Sequence, residues 1–436
     1  GLAIIAAPVA YAAHWQWQSL FSVSARHDAL ARTLLPVVVL FCFLLICSVI
    51  RLPPAKRTSR HDSASCLFPS ESPRRSKEWI TRVDELAGRS IDLAELLRFY
   101  HSLGEPAGPM PHYDPLRHTT NDIVRQVIIP VTQTADGGGV AYADLNGPSP
   151  EKLPNCMVTH SWSNLFLHLV AAVVAEALEV DEYSELAAQL AAQNSKGMEE
   201  ALRARGKAHQ RYWICAFCVN QHASICARFN KAPPVATPEY ARWDRNRRDS
   251  VTHKIFPLCS CSEPKHLNDN SPDKCELNKF DVMMEHLNQE VLGFRQLAAV
   301  DRDFNLFSRI WCIAELVQAH TSGIPQTVCI YSNEVLALQN EDLSLFVKLA
   351  TLTATECSAS RQADKEEILS KISDIDEFDA QLQVTIFGER GFLQQHVVGL
   401  DVLDAAARSA RRVLLVCRKL EERCSCECGE LMRLRV

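Results

Sequence analysis

One carboxylate stands alone on an apolar stretch. The segment Leu306 to His320 reads LFSRIWCIAELVQAH, and its charged residues are Arg309 and Glu315. Ile310, Ile313, Ala314 and Val317 fall at i, i+3, i+4 and i+7, the spacing of the buried stripe of an amphipathic helix. Glu315 lies beside that stripe, one turn after Trp311. A fixed carboxylate in a dry cleft can stabilise positive charge developing on a sugar ring and can hold ribose hydroxyls. The plainer alternative is an exposed helix residue paired with Arg309 or a nearby Lys.

A second set of chemistry-bearing residues is the cysteines. Cys215 and Cys218 make a C-x-x-C, followed by His222 and Cys226; Cys259, Cys261, His266 and Cys275 come later. Four such ligands suit a tetrahedral zinc, which would staple a polar segment with little core of its own. Cys259, Cys261, His266 and Cys275 are the preferred set. Cys215 is expected inside a strand, where a cysteine usually serves as a small buried hydrophobe. Cys424, Cys426 and Cys428 near the end have no histidine beside them, so solvated thiols and lipid attachment both stay open.

The elements that would hold these groups alternate. From Asn155 onward short apolar strands (CMVTH, RYWICAFCV, FRQLAAVD, PQTVCIYS) are separated by helices (NLFLHLVAAVVAEAL, KFDVMMEHLNQEV, FNLFSRIWCIAELVQAH, DLSLFVKLATL). That order predicts a parallel α/β sheet covered by helices on both faces. Ligands of such sheets sit at the carboxyl ends of the strands. His160, Ser161 and Trp162 end the first strand and Asp301 ends the third, so a carboxylate early in the following helix is expected to overhang the same crevice. EYSELAAQLAAQNSKGMEEALRARG reads as a polar helical insertion. Residues 227–275 form a second insert, polar and irregular.

Upstream the texture differs. Thr33 to Ile50 is eighteen residues without a charge, bracketed by Arg32 and Arg51, and reads as a membrane span. Gly1 to Ala13 is too short to span and is read as the end of an earlier span or of a signal peptide; the missing initial Met is read as a fragment or processed product. Residues 1–50 are thus expected to be a membrane anchor and 51–77 a basic, disordered linker touching anionic lipid heads. The span's carboxyl-terminal flank carries Arg51, Lys56, Arg57, Arg60, Arg74, Arg75 and Lys77, against Arg26 and Arg32 before it, so the rest of the chain is expected to face the cytosol. A lack of Asn-x-Ser/Thr acceptors and an odd total of 17 cysteines agree with a reducing compartment. Residues 78–150 read as a helical and irregular pre-domain, with NDIVRQVIIPVTQ as a helix running into a strand. The glycines of ADGGGV lack the Gly-Lys-Ser/Thr of a phosphate loop. Gly-x-Ser-x-Gly, His-Glu-x-x-His and Gly-x-Gly-x-x-Gly are absent. The formal charge of −6 gives no case for nucleic acid.

The run Ser308-Arg309-Ile310-Trp311-Cys312-Ile313-Ala314-Glu315-Leu316 resembles the Ser-x-x-Trp-Cys-x-x-Glu-Leu box of the Toll/interleukin-receptor (TIR) domain superfamily. VTHSW resembles the first-strand box of divergent protist TIR-like domains found in membrane proteins. The resemblance covers about 154–390. It implies a flavodoxin-like sheet of about five parallel strands over 151–393; the residues after it, 394–436, read by their own pattern as a helix and a Cys-rich tail. The resemblance also implies a signalling or interaction module that assembles with other TIR-like domains. Some TIR domains cleave nicotinamide from NAD with the box glutamate. Carried over, that makes Glu315 catalytic, NAD its substrate, and His160, Ser161, Trp162, Trp213, Asp301 and Trp311 the surrounding binding residues, with Trp162 or Trp213 stacking on a base. A zinc-stapled domain without catalysis is the remaining alternative. The sequence departs from the family in lacking the acidic residue after the first strand and the Arg-Gly pair in the loop after the second.

Overall fold

The computed structural model describes residues 75–145, 147, 153–229, 231–333, 344–359, 361–388, 391 and 393. The chain divides into two compact units, Gly1–Ser63 and Ala64–Val436, and all described residues belong to the second. The expected span at 33–50, the segment 1–13, nearly all of the basic linker and the tail 394–436 lie outside them. Among the described residues no helix is long and apolar enough to cross a membrane.

Capping residues set where several helices begin. Ser76 caps α1 (Lys77–Ala87) by accepting from Trp79 N, and Asp92 caps α2 (Leu93–Ser102) by accepting from Glu95 N. Between them lies β1 (Ile91–Asp92). α3 (Thr120–Ile123) opens with a capping box, Thr119 and Asp122 satisfying each other's backbone N–H. It continues through a π turn at Val124–Ile128 into Ile129–Val131. Pro130 explains the widened turn, because its ring crowds the carbonyl four residues back and it has no N–H to continue the ladder. The strand expected after this helix is reduced to a single bridge, Gln133 to Gly139.

The alternating region then runs β2 (Cys156–His160), α4 (Phe166–Leu178), α5 (Ser184–Ala191), α6 (Lys196–Ala204), β3 (Arg211–Ile214), a one-turn α7 (Cys215–Cys218), α8 (Pro238–Asn246), α9 (Phe280–Glu290), β4 (Arg295–Ala299), α10 (Ile310–Thr321), β5 (Gln326–Cys329), α11 (Ser344–Ala350), α12 (Gln362–Lys371) and α13 (Ile375–Phe387). The polar insertion after α4 is two helices, α5 and α6, separated at Gln193, whose φ is 55°.

The sheet order is β1-β3-β2-β4-β5. β3, β2, β4 and β5 are parallel, and β1 joins β3 antiparallel through Ile91 opposite Tyr212. Among the described residues four parallel strands are therefore present where about five were expected. The fifth strand is an antiparallel edge from the stretch before residue 150, too short at two residues to carry an alternating pattern. Counted along the chain the parallel strands lie 2-1-3-4, the start of the doubly wound flavodoxin order, with its switch point between β2 and β4. Leu297, Ala299 and Cys329 face one core with α4 and α9; Ala298, Val300, Val328 and Ile330 face the other with α10, α12 and α13.

The insert 227–275 is tied to α3. Asp122, 0% exposed, accepts from Thr119 N and Oγ1 and also from Ser250 N (2.9 Å) and Ser250 Oγ (2.6 Å). One carboxylate thus caps a helix and anchors the insert. Asp122→Ala is expected to cost about 2 kcal/mol, combining a lost cap with stranded backbone donors. Limited proteolysis should show faster cleavage at Arg245, Arg247 and Arg248. An unchanged melting temperature and digestion pattern would refute this.

Candidate functional site at the β2–β4 switch point

β2 is central in the sheet, and all five of its residues are buried. Thr159 and Gln296 project to the face covered by α10, as does Gln326, which stands opposite Gln296. Their side chains make a line across three strands. Gln326 Nε2 donates to Gln296 Oε1 (2.7 Å), Gln296 Nε2 to Thr159 Oγ1 (2.7 Å), and Thr159 Oγ1 to Glu315 Oε2 (2.6 Å). Gln326 Nε2 also donates to the Leu316 carbonyl (2.9 Å), which pins α10 to the sheet. Every donor points toward the carboxyl, so the line is satisfied only with an acceptor at Glu315.

Glu315 does not overhang an open crevice. α10 is buried around most of its circumference, with Cys312, Leu316 and Ala319 inside as well as the expected Ile310, Ile313 and Val317, while Ala314, the fourth residue expected in the stripe, is only half-buried. Glu315 is half-buried, and its carboxyl end rests on Thr159, which is 1% exposed. Burial pushes its pKa up to about 8, the Thr159 hydrogen bond acting weakly in the other direction. The adjoining cavity has about 40 Å³ and is lined by Phe280, Met284, Trp311, Ala314, Ile368 and Lys371 together with Glu315. That is room for about one water molecule. Trp311 is half-buried there, its ring 6.0 Å from Phe280.

The strand end proper is filled by the protein's own chain. Residues 118–121 lie against the loop after β2: Asn121 N donates to Trp162 O, Thr120 N to Asn164 O and Phe166 N to His118 O. His160 and Ser161 are consequently 5% and 2% exposed. Burial holds the His160 imidazole down to a pKa of about 4, so it is neutral. Its Nδ1 sits 3.3 Å from Val158 O and its Nε2 3.9 Å from Cys215 Sγ. Cys215 is held as the thiol, pushed up to about 12 by burial, with the Trp162 indole N–H donating to its sulfur at 3.1 Å. Ser161 Oγ pairs with Ser163 Oγ. The Cys215 expected within a strand begins α7 instead, because β3 stops at Ile214.

Two expected binding residues are structural. Trp213 is fully buried; its indole donates to Leu86 O (3.0 Å) and its ring packs on Phe280, because β3 is an interior strand flanked by β1 and β2. It cannot stack on a ligand. Asp301 is 4% exposed and accepts from the backbone N–H groups of Asp303, Asn305 and Leu306. It braces the turn containing Phe304, whose φ is 56°. His160, Ser161 and Trp162 do gather at the strand end, with Cys312 Sγ donating to His160 O.

A separate cluster collects His222, Cys226, Cys259 and Cys261, whose ligand atoms lie within 4.8 Å of one another and could hold a metal ion. Two of the four expected ligands, Cys259 and Cys261, are in it. His266 and Cys275 are not: the His266 backbone N–H bonds Ala223 O, and Cys275 is buried beside Lys279, whose ammonium donates to its carbonyl. The insert folds its C-x-C back onto the loop after α7 rather than onto its own end. A second group, His112, His118 and Asp249, is also compact. Tautomers separate the two. His118 Nδ1 accepts from Asp114 N (2.8 Å), so the neutral ring carries its proton on Nε2, the atom facing Asp249 at 3.6 Å. A protonated nitrogen is no ligand.

Comparison of the chain with protein-family models, curated proteins and solved structures finds no match.

Proposed function

We propose that this chain is a TIR-like signalling or interaction module, anchored through 33–50 with the described domain in the cytosol, that acts by contact with other TIR-like domains. The observation that carries this reading is the filling of the switch point. Residues 118–121 occupy the strand end, and Glu315 faces a cavity of about 40 Å³, far below the 300 Å³ or more of ordinary ligand pockets. In this reading the Ser-x-x-Trp-Cys-x-x-Glu-Leu box is packing: Trp311 covers Phe280, and Glu315 ends the polar line from β5. Fold alone does not assign function, so the test is direct. The full chain in lipid nanodiscs or detergent should self-associate as concentration rises, read by light scattering, and release no nicotinamide from NAD. Glu315→Gln should leave self-association within about twofold. A monomer at every concentration would refute the module.

NAD cleavage is the second reading, favoured by one observation: a carboxyl with a strongly raised pKa beside a switch point is a common mark of a working site. Nicotinamide release that Glu315→Gln abolishes would put this reading first.

A further inference from the structure

We propose that His222, Cys226, Cys259 and Cys261 form a closed Cys3His zinc site that clamps two separate stretches of the chain together, with the 132–139 turn hydrogen-bonded against both. Distance is the first argument. With zinc–sulfur and zinc–nitrogen bonds of about 2.3 and 2.0 Å, a tetrahedral centre spaces its ligand atoms about 3.5 to 3.8 Å apart. Cys226 Sγ and Cys261 Sγ are 3.5 Å apart, and Cys259 Sγ is 3.7 Å from His222 Nδ1.

The imidazole is already in the ligating tautomer. Thr132 Oγ1 spends its hydrogen on the Ile128 carbonyl (2.7 Å) and lies 2.9 Å from His222 Nε2. With its own hydrogen committed, Thr132 can only accept, so Nε2 carries the ring proton. The lone pair is left on Nδ1, the atom turned to Cys259. An outer hydrogen bond that leaves the lone pair on the inward nitrogen is what ligating histidines possess; at His118 the bond from Asp114 N does the reverse and puts the proton on the nitrogen that faces Asp249.

Charge points the same way. Three thiolates and a neutral imidazole on a divalent cation leave one net negative charge. Lys265 Nζ stands 3.5 Å from Cys261 Sγ. A sulfur-rich tetrahedral set selects zinc among common divalent ions, and four protein ligands leave no open position, which makes the site structural.

The location explains the need. Among the described residues from 231 to 275, Phe256, Leu267 and Cys275 are the buried apolar side chains, far too few to fold that length alone. At the cluster three stretches meet. Cys259 N donates to Cys226 O, His266 N to Ala223 O and Ser262 N to Gly137 O, while Asn220 Nδ2 donates to Gly139 O. Metal binding here would fasten the insert to the loop after α7, with the 132–139 turn held against both by these hydrogen bonds.

The test uses the full chain, reconstituted with zinc and separately with cobalt. About one zinc per chain is expected, and cobalt should give the thiolate charge-transfer and tetrahedral absorption bands. Cys226→Ser and Cys259→Ser should each weaken binding tenfold or more. Cys275→Ser and His266→Gln should keep full stoichiometry. The proposal is overturned by wild-type chain that takes up no zinc and shows no cobalt–thiolate band. It is equally overturned by loss of metal in Cys275→Ser and His266→Gln with retention in Cys226→Ser and Cys259→Ser, or by an intact mass short by the two hydrogens of a Cys226–Cys261 disulfide. The cobalt spectrum of the wild-type chain decides the matter if the variants fail to fold.

Discussion

Glu315→Gln should stabilise the protein by several kcal/mol, at most about 4.5 kcal/mol, at pH 8.5 and by no more than about 1 kcal/mol at pH 5. The carboxyl has an ordinary value of 4.5 and is raised to about 8 in the fold, chiefly by burial. A raised acid binds its proton more tightly in the folded state. The resulting stability is fully present below pH 4.5, falls as the unfolded chain ionises, and is gone once pH passes about 8. Gln copies the protonated acid in shape and still accepts from Thr159 through its amide oxygen, so the variant should lack this decline. Denaturant midpoints of both proteins from pH 5 to 8.5 measure it. Other buried groups titrate in this window, Asp364 with a pKa raised to about 6 and Lys279 with one lowered to about 8, each mainly by burial. They slope in opposite directions and cancel in the difference between the two proteins. A difference that stays flat would show that Glu315 is not a buried acid. The outcome also bears on chemistry. A protonated Glu315 carries no charge to stabilise a cationic sugar, so any NAD cleavage should climb as pH rises toward and past 8.

What the sequence could and could not reveal follows from the range of each interaction. Periodicity is local, so the end of α10 was legible to one residue and its Ile310, Ile313 and Val317 are buried, whereas Ala314 is half-buried and the helix starts at Ile310 rather than at Phe304, after a 3-10 turn at Asn305–Ser308. The second buried face of α10 was not, because Cys312 and Leu316 join the core with α12 and α13, and Ala319 the core with α4 and α9, only after those elements dock. Trp213 looked like a stacking platform since the sequence carries no sign that the two residues of β1 would pair beyond β3 and seal that edge. Asp301 looked like a strand-end ligand; its capture by three backbone donors depends on a turn five residues long. The polar line from Gln326 through Gln296 and Thr159 to Glu315 spans residues far apart in sequence, and only sheet register aligns it. For the cysteines, residue types were informative and pairing was not. Spacing within 259–275 favours a local set, whereas the C-x-C meets His222 and Cys226 across the loop after α7.

Gly139→Ala should lose both stability and metal. A methyl group at residue 139 would stand 2.1 Å from His222 Cγ and 2.3 Å from Cδ2. Neither side can give way cheaply: the ring is 0% exposed and tied to Thr132, and the Gly139 carbonyl is bonded by Asn220. Forcing the turn and the ring apart should cost about 3 kcal/mol by overpacking and weaken metal binding tenfold or more by moving an oriented ligand. Gly197→Ala on α6 is the control, with nothing within 4 Å of its added carbon; there Ala should be neutral or slightly stabilising. The stronger result comes from a cycle with Cys259→Ser. If Gly139 matters because it lets His222 reach the metal, removing the metal through Cys259→Ser first should shrink the cost of Gly139→Ala well below its value in the wild-type chain. Costs that add in full would mean that the glycine serves packing alone and that the 132–139 turn is not coupled to the clamp.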